Sequence, residues 1–169
     1  VREILASTMF TDGQPANIFG TLAHNPRVLK RFNVLGGGLL AKGSLPERER
    51  ELVILRVGWN ARSVYEFGQH TLIGRRAGLS DAEIAAVCEV GDHQWPPGDH
   101  LLLTMVDELC ADDCVSDDTW AALAERWTPA ELVELVVCAG FYRLVSGFLN
   151  SFGVERDEGV PGWPEGARP

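Results

Sequence analysis

Residues 51–70, ELVILRVGWNARSVYEFGQH, bring together the side chains in this sequence best suited to do chemistry. Glu66 and His70 are four residues apart and Ser63 precedes Glu66 by three, so on a helix these three share one face. A carboxylate and an imidazole held side by side can form a proton-transfer site without a metal or a cofactor. Glu51 is a second acid in this stretch, which also holds Tyr65 and Arg56.

Each of these residues also has a plainer role. An exposed Glu–His pair at this spacing is ordinarily a helix-surface contact worth a few tenths of a kcal/mol. Here Tyr65, Phe67, Leu72 and Ile73 leave little of the helix polar, so the Glu66–His70 face is expected to be partly buried. Burial raises a carboxyl pKa, and a neighbouring carboxylate raises that of histidine. Glu51 follows ERER at a helix start, where the dipole favours acids. It also directly precedes a strongly apolar run, which makes it a candidate to point inward. Arg56 sits inside that run and needs an anionic partner. Glu51 is not quite on its face, so Glu66 and an acid from another helix remain equally open. Ser63 reads first as a helix N-cap, a role its neighbour Asn60 could share, and Tyr65 lies at a different helical angle and reads as packing. His24, His93 and His100 fall in or near loops and are assigned no chemistry. No GxSxG, phosphate-binding loop or dinucleotide fingerprint is present, so a nucleophilic triad is not supported.

The elements that must position this set all read at helical period, with no convincing alternating strand. Residues 1–10 read as a partial first helix closed by an Asp12-Gly13 turn, and residues 17–23 as a short helix. Asn25 caps the next helix with Pro26 at its first position. Gly36-Gly37-Gly38 interrupt it at a cost of roughly 1 kcal/mol each; the apolar period continues across them, which favours a close helix approach over a break. Ser44, Pro46 and Glu47 suggest a capping box before a nearly all-apolar central helix, loosened at Asn60-Ala61. The helix carrying Ser63 to His70 runs to Ala77 and stops at Gly78, and Ser80 with Glu83 boxes the next. Residues 91–99 are a loop, followed by helices over 100–111, from Asp117 after Ser116, and from Pro129 after Thr128 to about Asn150. The expected fold class is all-α: one helical domain over 1–150 and a Pro/Gly-rich tail over 151–169, extended or disordered unless a neighbour holds it.

Composition bounds the partners. The chain has 169 residues, 46% of them hydrophobic, and a net charge of −9, which suit one globular domain. Such an acidic chain without a long basic cluster argues against nucleic acid or an anionic membrane as partner. No apolar run is expected to span a bilayer, no signal-peptide pattern opens the chain, and cytoplasm is the default. Cys88, Cys110, Cys114 and Cys138 form no CxxC pair and have no histidine cluster beside them, so neither metal nor cofactor is expected.

Over most of its length the chain resembles the carboxymuconolactone decarboxylase-like superfamily, which includes alkylhydroperoxidase D. The segments carrying the likeness are NIFGTLAHNPRVLKRF, LPERERELVILRVGWNARSVYEFGQH, GLSDAEI and VVCAGFYRLVSGFLNSFGV. In the peroxidase branch a glutamate is followed after eleven residues by CxxC, with a histidine four residues after the second cysteine. Glu51 and His70 occupy the outer positions here, but Ser63 and Glu66 replace the cysteines, and neither can form the redox disulfide. The resemblance therefore disfavours peroxidase activity and points to the decarboxylase branch, which removes carbon dioxide from a small unsaturated lactone acid without a cofactor. It implies Glu51, Glu66 and His70 as the proton-transfer set, Arg56, Tyr65 and Ser63 as substrate-side groups, a small carboxylated or carbonyl substrate, and a homo-oligomer, trimeric or hexameric. The rival expectations are a non-catalytic oligomeric binding protein that kept the fold, and redox chemistry through a displaced cysteine such as Cys138.

Overall fold

In the computed structural model, which describes residues 10–11, 14–89, 91 and 93–167, the fold is built around one helix that is buried almost all round. In that helix, α3 (Glu47–Asn60), Arg50 to Leu55, Val57 and Gly58 are all buried. Fully burying each Leu, Ile or Val side chain contributes about 1.5–3 kcal/mol, so α3 is fixed as the core element. The other helices are α1 (Asn17–Leu22), α2 (Pro26–Ala41), α4 (Val64–Arg76), α5 (Asp81–Val87), α6 (Pro97–Asp112), α7 (Asp117–Ala124) and α8 (Pro129–Phe152). Of these α4, α5, α6 and α8 pack directly on α3, while α1 packs mainly on α2, α2 also on α8, and α7 on α6 and α8. The all-α expectation holds for these eight helices. It missed a two-residue antiparallel ladder, β1 (Phe10–Thr11) and β2 (Gln14–Pro15). The expected first helix and the Asp12-Gly13 turn otherwise lie outside the described residues.

Local signals set most boundaries. Asn25 caps α2 by accepting from Val28 N, and Ser80–Glu83 and Thr128–Glu131 form complete capping boxes. The expected box before α3 is absent: Pro46 is the N-cap, and Ser44 is instead engaged by Glu134 of α8, which accepts from its backbone N at 2.8 Å and its Oγ at 2.6 Å. A Cβ at Gly43 would collide with that same carboxylate, so glycine is needed there. The α3–α4 turn is tight, with Arg62 in the left-handed region (φ 53°) and Ser63 N bonded to Gly58 O. This turn lays α4 back along α3 and brings Glu66 and His70 to the level of Glu51.

Helix α2 runs unbroken through its glycines. At Gly36 a Cβ would come within 3.1 Å of the Phe141 ring, so the close approach is real there, whereas Gly38 meets nothing. By length and composition α8 could cross a bilayer, contrary to the expectation that no run is long enough. Its Leu132, Leu135, Cys138, Phe141 and Leu149 are core residues, while Val133, Val137, Leu144 and Phe152 stay exposed. The tail after α8 is irregular but held. Asp157 and Val160 are buried, and the Trp163 ring lies 5.0 Å from Phe67 and 5.4 Å from Trp59.

Candidate functional site

Glu51 of α3 and Glu66 and His70 of α4 converge. His70 Nδ1 lies 2.6 Å from Glu51 Oε2, and its Nε2 lies 3.1 Å from Glu66 Oε1. Glu51 Oε1 accepts from Arg50 Nε at 2.9 Å, and Arg50 also donates to Leu40 O at 3.0 Å. The result is a chain of alternating charge, Arg50–Glu51–His70–Glu66, in which all four residues are buried. Glu51 does point inward, as its place before the apolar run suggested.

The proton positions follow from the geometry. A neutral imidazole carries one N–H, so one ring nitrogen would turn a lone pair on a carboxylate. The imidazolium form gives each carboxylate a donor. Burial works against that charge, but Glu51 first and Glu66 second outweigh it and raise His70 to about 10. Burial likewise works to raise Glu51, yet the charge and hydrogen bond of His70, followed by Arg50, hold it below the usual carboxylate value. The Tyr142 ring stands edge-on to His70 at 4.9 Å. Burial, and then the charge of Glu66, push its phenol well above its ordinary value, so it stays protonated.

Glu66, His70 and Tyr142 line a cavity of about 150 Å³. Its remaining walls are mostly apolar: Ile18 and Phe19 from α1, Phe32 and Leu40 from α2, and Phe141 and Val145 from α8. The exposed Gly37 and half-buried Phe19, Phe32 and Leu40 mark its outer side. Tyr65 and Gln69 also line it, and both are tied to the tail, donating to Asp157 Oδ2 at 2.6 Å each. Asp157 Oδ1 accepts from Asn17 N at 2.9 Å, and Tyr65 Oη accepts from Ile18 N at 3.2 Å. Burial first, then Asp157, raise the Tyr65 phenol, which makes it a fixed donor rather than an acid.

Two expected substrate-side groups do not reach the cavity. Arg56 pairs with Asp107 at 2.7 and 2.8 Å, with Glu89 at 3.0 Å and with Val87 O, binding α3 to α5 and α6. Its partner is thus an acid from another helix, and it does not line the cavity. Ser63 sits at the N-cap position of α4, but its buried Oγ caps nothing and finds no partner among the described residues. Sequence reasoning missed Arg50, Tyr142, Gln69, Asn33 and Asp157. Arg50 was hidden in the charged ERER run, where nothing local says which charge turns inward.

Thiol chemistry finds no footing at the cavity, because no cysteine lines it among the described residues. Cys138 is fully buried, and burial raises its thiol to about 12, as it does that of Cys88. Thiols so protonated are poor nucleophiles.

Known proteins share part of this sequence pattern and the fold. The sequence model of the carboxymuconolactone decarboxylase family matches residues 26–92, a span that holds Glu51, Glu66 and His70. No curated protein matches the chain significantly. Among solved structures, an uncharacterized peroxidase-related protein with an alkylhydroperoxidase core from Ralstonia eutropha is 24% identical, with a TM-score of 0.75 over 87% of this chain and 80% of that one. An uncharacterized peroxidase-related protein from a Silicibacter species is 14% identical, with a TM-score of 0.79 over 90% and 82%. The debrominase Bmp8, solved as a cysteine-to-alanine variant with 2,3,4-tribromopyrrole, is 12% identical, with a TM-score of 0.73 over 93% and 81%. Residues 26–92 match the model of the carboxymuconolactone decarboxylase family, and the chain has the alkylhydroperoxidase D-like fold.

Proposed function

We propose that this protein is a proton-transfer enzyme acting on a small carboxylated or carbonyl compound, a reading in keeping with the decarboxylase branch of that family. The observation that carries it is the cavity beside Glu66 and His70. A relic scaffold would need the same buried hydrogen bonds but no space next to them.

The roles within the set follow from the protons. His70 already donates from both nitrogens, so it is not the free base. Glu66 lines the cavity, and its carboxylate accepts from His70 with lone pairs to spare. Glu66 is therefore the group that takes a proton from, or returns one to, a carbon next to the substrate carbonyl. His70 can hand a proton to Glu66 when Glu66 gives one to the substrate, and while protonated it keeps positive charge near a developing enolate. Glu51, anchored by Arg50, holds the imidazolium in place. Loss of carbon dioxide and migration of a double bond both pass through such an enolate, and the same site serves either.

The test is deuterium incorporation. A panel of ring-sized ketones, lactones and keto acids is incubated in heavy water and read by proton NMR. The wild type should exchange a carbon-bound proton or turn over one of them. Glu66→Gln and His70→Ala should each lose that activity by at least about a hundredfold while keeping their helical content. Full activity in both variants would end the proposal.

A further inference from the structure

Asn33 is a wall residue whose polar atoms the proton-transfer set leaves unused. It projects from α2 into the same cavity, and both Nδ2 and Oδ1 are buried without a hydrogen-bond partner among the described residues. An unpaired buried amide is costly in apolar surroundings, and native proteins rarely keep one without a use. The polar groups elsewhere on the wall, Tyr65, Glu66, Gln69, His70 and Tyr142, make no hydrogen bond to it. A ligand in the cavity can therefore meet both its donor and its acceptor.

From this we infer that the site recognises an uncharged five- or six-membered ring carrying a donor beside an acceptor, as in a lactam or cyclic imide, with Asn33 making both hydrogen bonds. This rests on the proton-transfer reading of the same cavity and narrows its substrate class to the uncharged carbonyl compounds, setting aside the carboxylated ones and with them the loss of carbon dioxide. Size comes first: a dry apolar cavity of about 150 Å³ holds a benzene-sized molecule, and the volume here is the same. Phe19, Phe32, Phe141 and Tyr142 suit a flat ring. Charge comes second. Among the described residues no lysine or arginine lines the cavity, and the one cation there, His70, is already flanked by two carboxylates. A carboxylate ligand would face Glu66 without a counter-ion and would leave Asn33 Oδ1 unpaired. Planarity comes third. The side-chain amide presents its N–H and C=O in one plane, matching a cis N–H/C=O pair edge to edge.

The test is a titration with 2-pyridone, a neutral ring with N–H beside C=O, against toluene and benzoate as controls. Binding is followed by calorimetry and by the Asn33 side-chain NH₂ resonances. The expected result is saturable 2-pyridone binding that shifts those resonances and weakens by at least about tenfold in Asn33→Leu, while toluene binds both proteins alike and shifts nothing at Asn33. Because the resonance shift is read in the wild type, the inference stays testable if the variant folds poorly. No saturable 2-pyridone binding, no shift at Asn33, equal affinity in the variant, or tighter binding of benzoate than of 2-pyridone would each overturn it. Recognition is read here without turnover, so its failure is distinct from a failure of the exchange assay on Glu66→Gln.

Discussion

Replacing Glu51 by glutamine removes one charge from the centre of the buried chain while nearly keeping its shape. Glu51 is fully buried, and its oxygens are each taken, one by Arg50 at 2.9 Å and one by His70 at 2.6 Å. Glutamine has only one acceptor oxygen, and its NH₂ must face an N–H of Arg50 or His70. One cation thus loses its acceptor, and both lose the anion between them. Taking one member from a buried ion pair costs about 3–5 kcal/mol. For a chain of this length each kcal/mol shifts Tm by about 2–4 °C, so the expected loss is about 6–20 °C. The pH dependence has a fixed sign. His70 is raised, so its contribution is whole below its ordinary value of 6.5 and fades as pH rises through about 10. Glu51 is lowered, so its contribution is whole above its ordinary value of 4.5 and fades as pH falls through its folded value. The gap between wild type and variant should be widest near pH 5.5 and shrink steadily toward about pH 9.5, where the Arg50 part remains. Thermal unfolding followed by circular dichroism across that range measures it. Equal stability at the acid end, or a gap that widens with pH, would refute the reasoning.

Two further outcomes bear on the walls of the cavity. Asp157→Ala strands the donors Asn17 N, Tyr65 Oη and Gln69 Nε2; it should cost about 2–3 kcal/mol in urea unfolding and make the tail cleavable by protease, and an unchanged midpoint would count against the latch. Gly36→Val must displace the Phe141 ring and should cost about 1–3 kcal/mol, whereas Gly38→Ala, with open space around it, should gain about 0.5–1 kcal/mol; the reverse order in denaturant unfolding would contradict the α2–α8 packing.

Much of the fold was legible because its signals are local. Asn25-Pro26, Ser80 with Glu83, and Thr128 with Glu131 each satisfy a helix end within one turn, and all three formed. The box expected at Ser44 and Glu47 failed because Glu134, ninety residues away, took the serine, and no local pattern carries that information. The same division holds at the site. Glu66 and His70 share a helix face by spacing, and Glu51 sits at the edge of an apolar run, so all three could be singled out. Arg50 could not be told from its charged neighbours, nor could Arg56 be given its acids Asp107 and Glu89, since both depend on how helices distant in sequence meet. The tail was legible only in part: its proline and glycine signal irregular chain, but not the contacts of Asp157, Val160 and Trp163 that hold it.

The account turns on the protons of one ring, and nitrogen-15 NMR of the imidazole of His70 observes them directly. With both nitrogens opposed to carboxylates, both should be protonated at neutral pH and should titrate only toward about pH 10. A ring that is neutral at pH 7, titrating at or below the ordinary histidine value near 6.5, would contradict the charge chain and, with it, the assignment of Glu66 as the group that meets the substrate.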